Sequence, residues 1–175
     1  MSDICYPNVR LFRELAKGVL PEEVTEWCIF NGFLDAPAAA KHHGNHEGGL
    51  FEHSYLVAIE LCDLTEKLGL KWQHARSPML VGLMHDLCKI DQYVKDENGE
   101  WHYQETEVKG HGDKSVIYLS ELMELTEEEE ACIRYHMGAF TDKEFWNQYT
   151  MAVQKFPNVM WTHAADMWAA HIMKR

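Results

Sequence analysis

Apolar residues recur at helical spacing along most of the chain. Leu11, Phe12 and Leu15 predict a first helix over residues 8–17, with Gly18 as its stop. Pro21 suits the first turn of a second helix, Glu22 and Glu23 favour its positive end, and Val24, Trp27, Cys28 and Phe30 supply a buried side before Asn31-Gly32 ends it. Leu50, Val57, Leu61, Leu64 and Leu68 then mark one face of a long helix that Gly69 caps. Ser77-Pro78 opens another, running through Met79, Leu80, Leu83, Met84 and Leu87. Further on, Asp113 is placed to cap a helix through Val116, Ile117, Leu119 and Leu122. Thr126 with Glu129, and Thr141 with Glu144, both match the capping-box pattern. Asn158 after Pro157 starts the last helix, which carries Val159, Trp161, Ala165, Trp168 and Ile172.

Two stretches break this period. Residues 35–49, interrupted by Pro37, Gly44, Gly48 and Gly49, read as a histidine-bearing loop. In residues 92–104, two short alternating runs flank Asn98-Gly99, the signal of a β-hairpin. The expected fold class is therefore all-α, a helical bundle with one small β-hairpin insert near residues 92–104. No repeat or long linker divides the 175 residues, so a single domain is expected over 1–175. A chain of this size buries roughly 70% of its unfolded surface, enough for one core without staples.

Composition narrows the function classes. With 46% hydrophobic and 25% charged residues the chain reads as globular, which excludes disordered, collagen-like and low-complexity scaffolds. The N-terminus has neither the basic start nor the apolar core of a signal peptide, and Met79 to Met84 is far too short to span a bilayer, so a cytoplasmic protein without membrane contact is expected. Five scattered cysteines without a C-x-x-C pair read as buried reduced thiols. A net charge of −12 argues against a long nucleic-acid groove and against an anionic membrane surface. The acidic run Glu127–Glu130 reads as a solvated helix start rather than a metal site. Eleven histidines without a terminal tag are the unusual feature.

Most single helical histidines are surface residues or satisfied core residues. His85-Asp86 differs, because Leu83, Met84 and Leu87 surround it. Burying two ionisable groups in an apolar run costs several kcal/mol unless something compensates them. Asp166 poses the same problem between Ala164-Ala165 and Met167-Trp168. One buried Asp–His pair would explain one such site but not both, whereas a metal would serve both together with His53, His111 and His136.

The stretch His43-Gly44-Asn45-His46-Glu47-Gly48-Gly49-Leu50-Phe51-Glu52-His53-Ser54, then His85-Asp86-Leu87-Cys88-Lys89, then Gly110-His111 with Ser115, and finally Asp166, resembles the HD-domain metal-dependent phosphohydrolase superfamily. The similarity runs over about residues 42–170, and its nearest flavour is the HD portion of 3′→5′ exoribonuclease-type proteins. The resemblance implies an HD core over 42–170 with the helices of 1–40 packed on it. It implies His53, His85, Asp86 and Asp166 as ligands of a first metal, and His111 and His136 as ligands of a second, with Asp86 bridging. Such a donor set suits one or two ions of Mn²⁺, Fe²⁺, Co²⁺, Ni²⁺ or Mg²⁺ better than a closed tetrahedral zinc site. It also implies in-line attack of a metal-activated water on the phosphorus of a nucleotide or other small phosphate ester. Asp86 and Lys89 are the catalytic candidates.

Two divalent ions against two aspartates leave a cationic spot that fits an anionic substrate. Lys89 is expected to contact substrate phosphate, with His43, His46 and Arg134 (and His42) as further substrate-binding candidates. Glu52 and His163 are candidates for orienting a coordinating imidazole; His74, His102 and His171 read as ordinary surface residues. Two rival functions share this order of ligands, a mixed-valence di-iron oxygenase and a nucleotide-binding regulatory module without turnover.

Overall fold

A computed structural model of the chain describes residues 7–40, 44–106 and 110–173, and every structural statement below concerns those residues. The helices are α1 (Pro7–Ala16), α2 (Glu22–Phe30), α3 (Gly49–Leu68), α4 (Ser77–Met84), α5 (His111–Leu122), α6 (Glu127–Arg134), α7 (Trp146–Lys155) and α8 (Asn158–Trp168). A lone antiparallel pair, β1 (Tyr93–Lys95) and β2 (Trp101–Tyr103), registers Tyr93 with Tyr103 and Lys95 with Trp101. The class is all-α with a small β-hairpin, as the periodicity predicts.

The centre of the bundle is α3, which lies on α4 and α8, while α5 lies on α6 and α6 on α8. The approach of α3 to α4 depends on Gly82. A Cβ at that position would sit 2.3 Å from the Cα of Ala58, so the two backbones touch where any side chain would push them apart. Gly112 does the same for α5 and α6, because a Cβ there would stand 2.1 Å from the Arg134 carbonyl oxygen. On the far side, Phe12 of α1 and Phe33 after α2 stack against Phe51 of α3, with ring centroids 5.3 and 5.7 Å from Phe12. Burial of these rings ties the first two helices to the rest.

Two buried charged groups away from the histidine cluster are fully compensated. Glu129 is fully buried, and its carboxylate accepts hydrogen bonds from the Thr126 N–H, the Ser77 hydroxyl and the Arg76 guanidinium, completing the predicted capping box of α6 and joining it to α4. Lys114, 1% exposed, donates to Asp91 and Thr106, one on each side of the hairpin, and so clamps the insert to α5.

Several local expectations are corrected. Phe30 is 90% exposed, because the short α2 turns its other face inward. Gly110, at φ +88°, precedes a helix that already begins at His111, so Asp113 lies inside the first turn and pairs with Arg134 instead of capping. Thr141 and Glu144 form no capping box: two separate 3₁₀ turns, Gly138–Phe140 and Lys143–Phe145, occupy this stretch, and α7 starts only at Trp146. The helix expected to run through Leu87 stops at Met84 and continues as a 3₁₀ turn over Leu87–Asp91. His85-Asp86 therefore sits at a break in the helix.

Candidate metal centre

Five segments deliver the candidate ligands to one place. His53 lies in the second turn of α3; His85 and Asp86 follow α4; His111 opens α5; His136 follows the end of α6; Asp166 belongs to α8. The break after α4 matters here. Asp86 adopts φ −104° and ψ 16°, which ends the regular helix at the point where its carboxylate turns into the cluster.

Asp86 is the hub, and its two oxygens face different partners. Oδ1 lies 2.7 Å from His111 Nε2 and 3.5 Å from His136 Nε2. Oδ2 lies 2.7 Å from Lys89 Nζ, 3.4 Å from His85 Nε2 and 3.6 Å from His53 Nε2. Asp166 closes the second side, with Oδ1 3.0 Å from His53 Nε2 and 3.9 Å from His85 Nε2.

Three of the four imidazoles are held by their outer nitrogens, whereas His53 Nδ1 has no hydrogen-bond partner among the described residues. His85 Nδ1 donates to the Gly82 carbonyl at 2.9 Å, and His136 Nδ1 to the Ile133 carbonyl at 2.7 Å. A carbonyl can only accept, so both rings carry a proton on Nδ1 and turn Nε2 inward, where it offers a lone pair in the neutral ring. His111 Nδ1 meets the Cys88 sulfur at 3.2 Å. His163 Nδ1 donates to the main-chain carbonyl of His136 at 2.8 Å, so it fixes the backbone beside that ligand candidate rather than the imidazole.

Electrostatics follow from burial and proximity. Burial pushes His53 and His111 down toward the neutral imidazole, whereas at His85 the Asp86 carboxylate outweighs burial and holds the ring up. Burial alone would raise the aspartates, but Lys89 and the histidines hold Asp86 well below the ordinary carboxylate range, and His53 does the same for Asp166. Among the described residues lining this site, Lys89 supplies the one ammonium that faces the two carboxylates.

A divalent cation fits what these residues leave open. Among the described residues, the buried atoms His85 Nε2 and Asp86 Oδ1 have no hydrogen-bond partner of acceptable geometry, although hydrogen bonding of such groups is the rule. His53, His85 and Asp86, and separately His85, His136 and Asp166, offer donor atoms within 4.8 Å of one another. Anchored imidazoles with inward lone pairs and ionised carboxylates are the donor types that hard-to-borderline divalent ions take.

The cluster opens into a cavity of about 410 Å³ lined also by Lys89, Met137, Ala38, Ala39, Ala170 and His171. His171, read from sequence as a surface residue, is exposed and also lines this cavity from a π turn over Ala169–Met173, which no periodicity signals. Cys88, a buried thiol, also stands beside the cluster, and its place two residues after Asp86 is the sequence signal for that. Burial pushes that thiol up to about 12, so it stays protonated beside His111.

Other candidates are not brought here. His46 is exposed and turned to Glu52, 3.2 Å away, which also takes Glu52 away from His53. Arg134 points from α6 to Asp113, 2.7 Å away, and lines a neighbouring cleft. His42 and His43 lie outside the described residues.

Comparison with known proteins gives two matches of interest. The HD-domain family model matches residues 50–166, a span that contains all six candidate ligands. A dihydroneopterin 2′,3′-cyclic phosphate phosphodiesterase of Methanocaldococcus jannaschii is 35% identical over 75 residues, covering 39% of this chain and 29% of that relative. The chain thus matches less than a third of the length of this curated relative. No solved structure matches the chain significantly.

Proposed function

The chain belongs to the HD-domain family, and from that premise we propose that it is a divalent-metal-dependent phosphohydrolase acting on a small phosphate ester, a nucleotide or a comparable phosphorylated metabolite. The observation that carries this reading is the split of Asp86. One carboxylate oxygen faces His111 and His136, and the other faces His53 and His85. That division is what a carboxylate shared between two cations requires. His53, His85, Asp86 and Asp166 would hold the first ion, and His111, His136 and Asp86 the second. Mn²⁺, Fe²⁺, Co²⁺, Ni²⁺ and Mg²⁺ suit the mixed imidazole and carboxylate donors better than Zn²⁺.

Bound ions of this kind lower the pKa of water and polarise phosphoryl oxygens. The chain's own residues do the rest. Lys89 stands at the cavity wall with its ammonium on Asp86 and is placed to take a phosphoryl oxygen as well. The main-chain carbonyls of Gly82 and Ile133 keep His85 and His136 in the tautomer that points a lone pair inward. Ala38, Ala39 and Ala170 are small walls that leave room for the ester while limiting water. The relative named above acts on a cyclic phosphate diester, which supports a phosphoester as the substrate class here. The first two helices and the 42–170 core would form one domain over 1–175.

Elemental analysis of the purified protein, followed by a screen of phosphomonoesters and cyclic nucleotides with each metal, tests the proposal. Metal-dependent phosphate release supports it. Oxygen consumption without phosphate release would replace it with a di-iron oxygenase, and nucleotide binding without any product would replace it with a regulatory module.

A further inference from the structure

We propose that the cleft beside the metal centre, between the start of α5 and the turns of residues 138–145, binds the planar heteroaromatic ring of the substrate. The inference rests on the phosphohydrolase reading for the position of the phosphate. The cleft has a volume of about 460 Å³ and shares two wall residues, His111 and Met137, with the metal cavity. The ring of a ligand whose phosphate lies at Lys89 and the metal candidates would therefore reach the cleft past His111 and Met137.

The two spaces differ in chemistry. The metal cavity offers imidazoles, carboxylates, one ammonium and alanines, which can recognise a phosphate but supply no large flat apolar surface. The cleft supplies it. Phe140 and Phe145 line it with 66% and 45% of their surface exposed, at the ends of the two 3₁₀ turns. Two phenylalanine rings left in water at one opening are apolar area that a stacked ring would cover. They are not on a loose strand: the Trp146 indole N–H donates to the Thr141 carbonyl at 2.7 Å, bridging the two turns that carry them.

Polar groups for the edge of a heterocycle line the same cleft. The Arg134 guanidinium is held by Asp113, and the Gln148 amide lies further along the same cleft. Gly112, which also lines the cleft, brings α5 against the Arg134 backbone. Polar side chains together with exposed aromatic rings in one cleft supply the contacts that nucleobases and pterins both call for. Arg134 thus serves the substrate through its ring rather than through its phosphate. A third space of about 350 Å³ shares only His111 with the metal cavity and carries Tyr93 and Tyr103.

Calorimetric titration of the Mn²⁺-loaded protein with adenosine 5′-monophosphate, neopterin phosphate, ribose 5-phosphate, inorganic phosphate and adenosine tests the inference. The expected result is that Phe140→Ala with Phe145→Ala weakens the tighter of the two ring-bearing phosphates about tenfold or more, while ribose 5-phosphate and inorganic phosphate change by less than about twofold. The pair Phe140→Tyr with Phe145→Tyr should keep wild-type affinity, which separates stacking from damage to the loop. Whichever ring-bearing phosphate binds more tightly identifies the ring. Equal loss for every ligand, no loss for any, or loss on Tyr103→Ala instead would overturn the inference. Wild-type protein that binds ribose 5-phosphate as tightly as both ring-bearing phosphates would also overturn it, while leaving the phosphohydrolase reading intact. Binding of adenosine that the double alanine variant loses, with no binding of inorganic phosphate, would uphold the cleft and overturn the phosphohydrolase reading.

Discussion

The Gly82 carbonyl oxygen accepts a hydrogen bond from His85 Nδ1 at 2.9 Å, within a single helical turn. The same glycine lets α4 rest on Ala58 of α3. One residue therefore sets both the tautomer of a candidate ligand and the distance between the helix that carries it and the helix that carries His53.

Gly82→Ala keeps the carbonyl that sets the His85 tautomer and should injure the helix spacing. Its Cβ would stand 2.3 Å from the Ala58 Cα, so α3 and α4 must separate. Overpacking of this kind costs about 1–3 kcal/mol. Thermal unfolding should shift to lower temperature, and metal content of the folded protein should fall, as read by elemental analysis.

Asp86→Ala should abolish metal binding and activity together, because both halves of the cluster converge on that carboxylate. His111→Ala or His136→Ala should remove mainly one ion. A single ion whose occupancy ignores both histidine changes would refute the two-ion assignment. Chelation of the wild-type protein should lower its melting temperature; saturation at about one hundred times Kd corresponds to about 2.7 kcal/mol of stabilisation.

Lys89→Ala should leave metal content unchanged and weaken substrate. Loss of a charged hydrogen bond to phosphate, about 1.5–3 kcal/mol, corresponds to a rise in KM of about 10- to 150-fold. Loss of metal instead would assign the lysine to holding Asp86.

Glu129→Gln probes a structural carboxylate remote from the metal cluster. Burial would raise its pKa, but the Thr126 N–H, Arg76 and Ser77 outweigh burial and hold it below the ordinary glutamate value. A folded-state value lowered in this way gives stability that is full above the unfolded pKa of about 4.3 and is lost as pH falls through the folded value. At neutral pH the variant should lose about 1–3 kcal/mol in denaturant unfolding, and the gap to wild type should close in acid.

Much of the architecture is legible without coordinates. Period, caps and Gly or Pro punctuation place α1, α2, α3, α6, α8, the start of α4 and the hairpin close to their observed bounds, because backbone hydrogen bonding and amphipathic burial act over a few residues. His85-Asp86 and Asp166 stand out as ionisable groups in apolar surroundings, which is a local signal as well. The capping box at Thr126 formed because Glu129 is buried against Ser77 and Arg76; the same pattern at Thr141 met no such partner and stayed irregular.

What the chain alone determined is the inventory: helices, hairpin, and a set of histidines and aspartates that need compensation. What the tertiary structure decided is who meets whom. The two faces of Asp86, the turn of Arg134 toward Asp113, the departure of His46 toward Glu52 and the arrival of His171 on a π turn all depend on helix approaches set by contacts far apart in sequence. A side chain's neighbours across helices are fixed by packing at Gly82 and Gly112, where backbones touch, and no local pattern of residues encodes the distance between two helices.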